Sequence, residues 1–303
     1  MKKICSLLLT IALFTACQNN SSIMPKSGGR PYEVLTVDDQ SSVLQKILSE
    51  DVKGLPQPEP SFDVSTISKK SFKKTEKLAR AIVFLDVDST LYTRTSIRYE
   101  RDVYAKPQII IRLTTPSTES VEKSSESKKT IIRLLTRFEM NAEIAYLKKK
   151  HNLEAERRIK EIFQIDMLVP ANLQASKTGK NFIWFSNNAG SGMQNICIYT
   201  IPNEEYIEGR DSVMKMNIPG EEKGMFMKTV GNSTTMEQTN KRTIIRGLWE
   251  MENDAMGGPF VLHAIRKGTQ IIVVEAFVYA PEMRKRNKIQ QLEAALYTMK
   301  IEN

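Results

Sequence analysis

The stretch 181–201, "NFIWFSNNAGSGMQNICIYTI", decides the reading of the fold. Two apolar runs, "NFIWFSNN" and "NICIYTI", are rich in the aromatic and β-branched residues that suit a pleated, half-buried strand. Between them Asn188 to Met193, with Gly190 and Gly192, suits a turn. This predicts a hairpin, an antiparallel pair joined without a helical crossover. Outward from it, 243–252 and 271–279 are strand-like, as are 32–37, 81–87, 108–113 and 165–169. Apolar residues at helical spacing mark 41–48, a long region capped at Ser117 or Thr118, 153–163, and 282–300. The long region presents Ile131, Leu134, Leu135, Phe138 and Ala142, and Asn152 is a suitable stop. "GLPQPEPSFDV" reads as irregular, 71–80 as basic and weakly helical, and 213–227 is assigned no element. Hairpin-like pairs outnumber strand-helix-strand units, so the fold class is α+β: mostly antiparallel sheets with packed helices. "KPQIIIRLTTP" and "IIVVEAFVYAP" each run strand, proline, helix. They suggest two related α/β subdomains, 31–164 and 165–303, within a globular domain spanning 31–303.

The amino terminus bears on compartment. Met1-Lys2-Lys3 precedes an apolar run, Ile4 to Phe14, too short for the ~20 residues of a permanent span but suited to a secretory signal. Residues 1–16 are read as that signal. Phe14-Thr15-Ala16-Cys17 resembles the lipobox of bacterial lipoproteins, with Phe14 standing where Leu is usual, and this implies a diacylglycerol and palmitate on Cys17. Residues 17–30, polar and ending Gly28-Gly29-Arg30, are read as a flexible tether. Among bacterial lipoproteins an Asp after the lipidated cysteine marks inner-membrane retention, and an acidic cluster accompanies surface export in some groups. Neither follows Cys17, so the resemblance implies the outer membrane, facing the periplasm. Of 3 cysteines, Cys5 falls in the signal and Cys17 in the lipobox. Cys197 is left, read as a buried small hydrophobe.

The chain has 303 residues, 41% of them hydrophobic and 26% charged, ordinary values for a globular protein with a real core. The net charge of +9 suits anionic surfaces, whereas no nucleic-acid-binding motif is present. With 2 histidines and no zinc-ligand spacing, no metal or other cofactor is expected.

"FLDVDSTLY", residues 84–92, contains the Asp-x-Asp-x-Thr with which phosphatases of the haloacid dehalogenase type open their active site. Asp86 would attack phosphorus and Asp88 would act as acid and base. That chemistry also needs downstream carboxylates to hold magnesium. Beyond Asp102 the chain offers only Asp166, Asp211 and Asp254, with no Asp-Asp pair. The motif is therefore read as a strand end. Neither a Gly-x-Ser-x-Gly elbow nor a P-loop is present, and no catalytic residue is assigned.

Several long segments carry a wider resemblance: "GRPYEVLTV", "GLPQPEP", "DVYAKPQ", "NFIWF", "RGLWEMENDAMGGPF" and "EAFVYAPEMRKRNKIQQLEAALY". In this order they resemble an uncharacterised family of Bacteroidetes lipoproteins, a domain of unknown function, over residues 29 to 300. The resemblance implies a Gram-negative envelope and supplies no mechanism. Within it, Glu250, Glu252 and Asp254 alternate along "WEMENDAMGGPF", which on a strand would put three carboxylates on one face as a ligand site. Met256 to Pro259 would then turn the chain. Glu275 interrupts "QIIVVEAFVYAP", apolar on both faces, so it should be buried against a cation. Arg246 is the preferred partner, then His263. If Glu275 lay beside Glu250 or Glu252 it would join the ligand site. The function expected is that of a non-enzymatic envelope lipoprotein. It would be held to the membrane by its N-terminal lipid and would bind an envelope protein or glycan. A hydrolase acting on envelope material is the alternative.

Overall fold

A computed structural model describes residues 24–301. The signal, the lipobox and Cys17 lie outside the described residues. The first unit contains β1 (Glu33–Val37), α1 (Val43–Leu48), β2 (Asp63–Ile67), β3 (Ala81–Val87), β4 (Ser96–Arg101), β5 (Ile109–Thr115), α2 (Thr118–Lys123) and α3 (Ser125–Leu147). Its sheet runs β2-β1-β3-β5-β4, parallel except for β4. Strands β3 and β5 are near-continuous apolar runs because both their faces are covered. On one face Val83, Ile109, Ile111 and Leu113 meet Leu44 and Leu48 of α1 and Ile131, Leu135 and Phe138 of α3. On the other, Val37, Ile82 and Ile110 are covered by Phe72 and Tyr104, from segments without long helices. The expected single helical region is broken in two. Ser117 caps α2 by accepting from the Ser120 amide, and Ser124 caps α3 by accepting from the Ser127 amide. Serine hydroxyls compete for backbone donors in this way, so a serine cluster restarts a helix.

The second unit contains α4 (Leu153–Phe163), β6 (Ile165–Asp166), β7 (Ala175–Gly179), β8 (Phe182–Ser186), β9 (Met193–Ile201), α5 (Tyr206–Asn217), β10 (Met227–Thr229), β11 (Thr235–Gln238), β12 (Thr243–Met251), β13 (Gly257–Lys267), β14 (Gln270–Tyr279), α6 (Arg286–Leu296) and β15 (Lys300–Ile301). Eight strands form an antiparallel sheet, β10-β12-β13-β14-β9-β8-β7 with β11 also on β12, and β15 pairs with β6. Hairpin β8–β9 is the one that "NFIWF" and "NICIYTI" predict. The fold is α+β, as expected. The strand-proline-helix pattern occurs in both units, but β5 enters a largely parallel sheet and β14 an antiparallel one.

Asn152 caps the start of α4, its side chain accepting from the Ala155 amide at 3.1 Å. Helix α4, placed by the sequence reading in the first unit, packs Ala155, Ile159 and Phe163 into the core beneath the second sheet. That core also holds Val261, Val274, Ala276, Val278 and, from α6, Leu292 and Leu296. The opposite face of the sheet packs Tyr199, Leu262 and Phe277 against Met214 of α5. Among the described residues no helix is long and apolar enough to cross a membrane.

The units are joined at the start of α6. Its first amides, Lys285 and Arg286, donate to Glu59 of the first unit at 2.7 and 3.0 Å, placing a carboxylate at the positive end of the helix. The Arg286 side chain, 2% exposed, reaches Asp63 at 2.8 Å. The fold also begins before residue 31. In the segment read as tether, the Pro25 carbonyl accepts from Lys106 and the Gly28 amide donates to Leu78.

Candidate functional site

The acidic segment is partly strand and partly turn. Glu250 lies on β12, whereas Glu252 and Asp254 lie in the turn before β13. Glu250 approaches Lys228 at 3.3 Å, and Glu252 pairs with the same lysine. Asp254 accepts from the amide of Ala255, next in the chain. The turn is therefore 252–256, with Asn253 at φ 60, and Gly257 to Pro259 already belong to β13. Gly258 is there for close approach: a Cβ would stand 2.0 Å from the Val278 carbonyl oxygen.

Glu275 lies elsewhere. It stands opposite Leu262 of β13 and Cys197 of β9, on the face covered by α5, and is fully buried. Arg210 of α5, also fully buried, is its partner. Nε of Arg210 donates to the two carboxylate oxygens at 3.0 and 3.1 Å, and Nη2 donates to Oε1 at 2.7 Å. Tyr199 adds a hydroxyl donor at 2.7 Å, and the guanidinium lies 4.0 Å from the Phe260 ring centroid. Burial pushes the Glu275 carboxyl up, against the charge and hydrogen bonds of Arg210. Burial acts to lower Arg210, and Glu275 overrides it, holding the guanidinium above its ordinary value. The geometry is that of a guanidinium fork closed on a carboxylate. Cys197 beside it is wholly buried, its thiol pushed well up by burial and then by Glu275. With no solvent access, this network is a structural element.

The expected partner, Arg246, is a correction. It stands opposite Val261, whose neighbour on β14 is Ala276, so it faces the other side of the sheet from Glu275. There it pairs with Glu293 of α6. His263 is on that side too: buried, 4.6 Å from the Tyr297 ring centroid, with Nδ1 3.0 Å from Arg242. Its Nε2 is 3.7 Å from Glu293 and makes no hydrogen bond.

The Asp-x-Asp-x-Thr residues hold a surface turn. Asp88 Oδ1 accepts from Thr90 N, Thr90 Oγ1 and Leu91 N at 2.8, 2.6 and 3.1 Å, and Asp86 accepts from the Tyr92 hydroxyl.

The arrangement best suited to a ligand is a cleft of about 640 Å³ where the units meet. Glu143 and Tyr146 line it from the end of α3, Lys150 from just beyond that helix, Asn172 and Gln174 from the loop before β7, Gln194 from β9 and Gln291 from α6. Its size and its few convergent polar groups fit a small-ligand site. Burial raises the Glu143 carboxyl, Arg80 opposes this, and Glu139 adds to it, so Glu143 keeps its proton to higher pH than an ordinary glutamate. Asn172 Nδ2 donates to Gln194 Oε1 at 3.1 Å, leaving the Gln194 amide NH2 as a donor. Tyr146 is 54% exposed and supplies an aromatic ring at the cleft. A larger groove, of about 780 Å³, lies along another side of α3, lined by Lys129, Ile132, Arg133, Met140 and Tyr297. It is more apolar, and its cations are on exposed side chains.

Neither Glu143 nor Arg210 was legible as a site residue. Glu143 sits among the many charges of α3, and its cleft is completed by residues 172, 174, 194 and 291, distant in sequence. Arg210 lies in "EGRDSV", whose apolar stripe is weak.

Residues 27–148 match the family described as Domain of unknown function (DUF8532), and residues 152–298 match Domain of unknown function (DUF4837). The two matches meet at the start of α4. No curated protein matches the chain. Among solved structures, the Ran-binding protein Mog1p of Saccharomyces cerevisiae is similar at 11% identity and TM-score 0.32, over 45% of this chain and 89% of that one. A protein of Bacteroides thetaiotaomicron is similar at 13% identity and TM-score 0.27, over 46% of this chain and 45% of that one.

Proposed function

We propose that this protein is an envelope lipoprotein of the Bacteroidetes type. A diacylglycerol on Cys17 anchors it in the outer membrane, facing the periplasm, and the cleft between its units binds a neutral, hydroxyl-rich glycan of the envelope. The observation that carries the reading is the cleft lining. Four planar amides, each able to donate and accept, converge with an aromatic ring, the Lys150 ammonium and the Glu143 carboxyl, whose pKa burial raises. Such a surface pairs with sugar hydroxyls through donors and acceptors alike and stacks on the apolar face of a pyranose. The upward shift of Glu143 also suits a general acid, which favours hydrolysis as a second reading. The usual glycosidase mechanism needs two carboxylates flanking the bond, and among the residues lining the cleft Glu143 is one. Binding is therefore preferred.

The test is calorimetric titration of the full chain with fully N-acetylated chito-oligosaccharides, which carry no charge. Tyr146→Ala and Gln291→Ala should each weaken binding tenfold or more, about 1.4 kcal/mol. Glu143→Gln should keep the fold and most of the affinity. Heat uptake unaffected by all three variants, or no binding at millimolar glycan, would sink the cleft reading. Cleavage products that vanish with Glu143→Gln would convert binding into hydrolysis.

A further inference from the structure

Residues 68–80, "SKKSFKKTEKLAR", cross the face of the first sheet that no long helix covers. Phe72 anchors the segment, 4.9 Å from the Phe84 ring centroid and 6.5 Å from that of Tyr104. With the aromatic ring turned inward, Lys69, Lys70, Lys73 and Lys74 are left exposed. Lys77 lies 5.2 Å from the Tyr104 ring centroid. The chain enters the described structure against the same segment. Lys26 forms a bridge with Lys106, Gly28 donates to the Leu78 carbonyl at 2.8 Å, and Lys106 donates to that of Pro25 at 2.9 Å. Two apolar residues flank this entry, Met24 at 38% exposure and Val103 at 37%. Three acids lie within the patch: Asp38 accepts from the Lys69 backbone, Glu76 from the Lys73 backbone, and Asp102 pairs with Lys106 at 3.8 Å. Against seven lysines they leave an excess of four positive charges.

We infer that this basic face docks on an anionic membrane surface. Charge complementarity is the first argument: seven lysines and two exposed apolar side chains are the composition that seats a protein on acidic headgroups. Position is the second. Cys17 and Met24 are separated by six residues, which span at most about 25 Å fully extended. A lipid on Cys17 would therefore bring this face, of all faces, to the bilayer. A tether of that reach lets the lysines approach within the Debye length of ~8 Å over which surface attraction acts. The face lies across the first sheet from α1 and α3. Docking by it turns α3, and the cleft at its end, away from the lipid. The inference rests on the lipid-anchor reading for the tether but not for the patch.

The experiment is lysine acetylation of the full chain, read by mass spectrometry. It compares vesicles of phosphatidylethanolamine with 30% phosphatidylglycerol, vesicles of phosphatidylcholine, and soluble polyglutamate. Lys69, Lys70, Lys73, Lys74 and Lys26 should label at least fivefold more slowly on the anionic vesicles. This protection should vanish in 0.5 M salt, and Lys129 and Lys223 should label alike throughout. The variant Lys70→Glu/Lys73→Glu/Lys74→Glu, with an unchanged circular dichroism spectrum, should lose protection of Lys26. Protection that needs anionic vesicles in a chain whose Cys17 is unmodified would support the patch on its own, independently of the anchor. Equal labelling on the two vesicle types would overturn the proposal even if the chain is lipidated. Protection by polyglutamate without protection by vesicles would also overturn it, assigning the face to an acidic protein.

Discussion

Removing the Glu275 carboxylate should be among the most damaging single changes to this fold. Glu275→Ala leaves the Arg210 guanidinium fully buried beneath α5 with its main counter-charge gone. Truncating one member of a buried ion pair typically costs ~3–5 kcal/mol, since the stranded charge keeps its desolvation penalty. Of the remaining partners of Arg210, Asp211 and Thr229 at 3.0 Å both meet Nη1, and Nη2 keeps only the weak Met227 sulfur at 3.9 Å, so Nε and Nη2 lose their carboxylate. Tyr199 loses its acceptor as well. For a chain of this size each kcal/mol moves the melting temperature by roughly 2–4 °C, so the loss should be on the order of 10 °C. Arg210→Met should cost a similar amount, plus the contact with Phe260. The double variant Glu275→Leu/Arg210→Met replaces two charges by apolar groups of comparable bulk and should be more stable than either single variant. Thermal unfolding followed by circular dichroism on the full chain, arranged as a double-mutant cycle, measures the coupling directly. A Glu275→Ala protein melting within a degree or two of the wild type would refute the reasoning. So would single-variant costs that simply add in the double variant.

His263 should make the fold acid-labile at mildly acidic pH. Its pKa is lowered, chiefly by burial and further by Arg242 and Arg246, with Glu293 opposing. The unfolded chain thus takes up a proton at this position first, and stability should fall as pH drops below about 6.5. Glu293, whose pKa is held below the ordinary value by His263 and Arg246 against burial, loses its contribution only at lower pH, below about 4.5. Urea titrations from pH 7.5 to 5 should show a slope that His263→Gln flattens; an unchanged slope would remove His263 as its cause. For the anchor, cells fed labelled palmitate should incorporate it into the wild-type chain and not into Cys17→Ser. Equal labelling of the two proteins would reject Cys17 as the attachment site.

Local pattern was enough for the elements whose environment is local. β3 is observed over residues 81–87 and α4 over 153–163, the ranges that apolar continuity and helical spacing mark out. Strand β2 was missed because three prolines just before it read as irregular chain, yet Asp63–Ile67 pairs along β1. Helix α5 was missed for another reason. Its buried positions include Arg210 and Asn217, so the stripe it presents to the sheet is not apolar. Amphipathic periodicity does not register a helix whose inward face carries an ion pair.

The burial of Glu275 was determined by the sequence alone: a carboxylate flanked by apolar residues on both faces of a strand has no route to water and requires a cation. Which cation was decided by tertiary structure. The turn at 252–256 sets β12 against β13 so that Arg246 is opposite Val261 and not Leu262. Side chains alternate across a strand, so that register sends Arg246 to the α6 face, where it meets Glu293, and leaves the other face to a cation from outside the sheet. Packing of α5 supplies it. The same holds for the cleft. Each of its polar side chains is ordinary in its own segment, and the packing of α6 against α3 and β9 brings Glu143, Gln194 and Gln291 to one opening. A sequence specifies such a site through long-range contacts that no window of neighbouring residues contains.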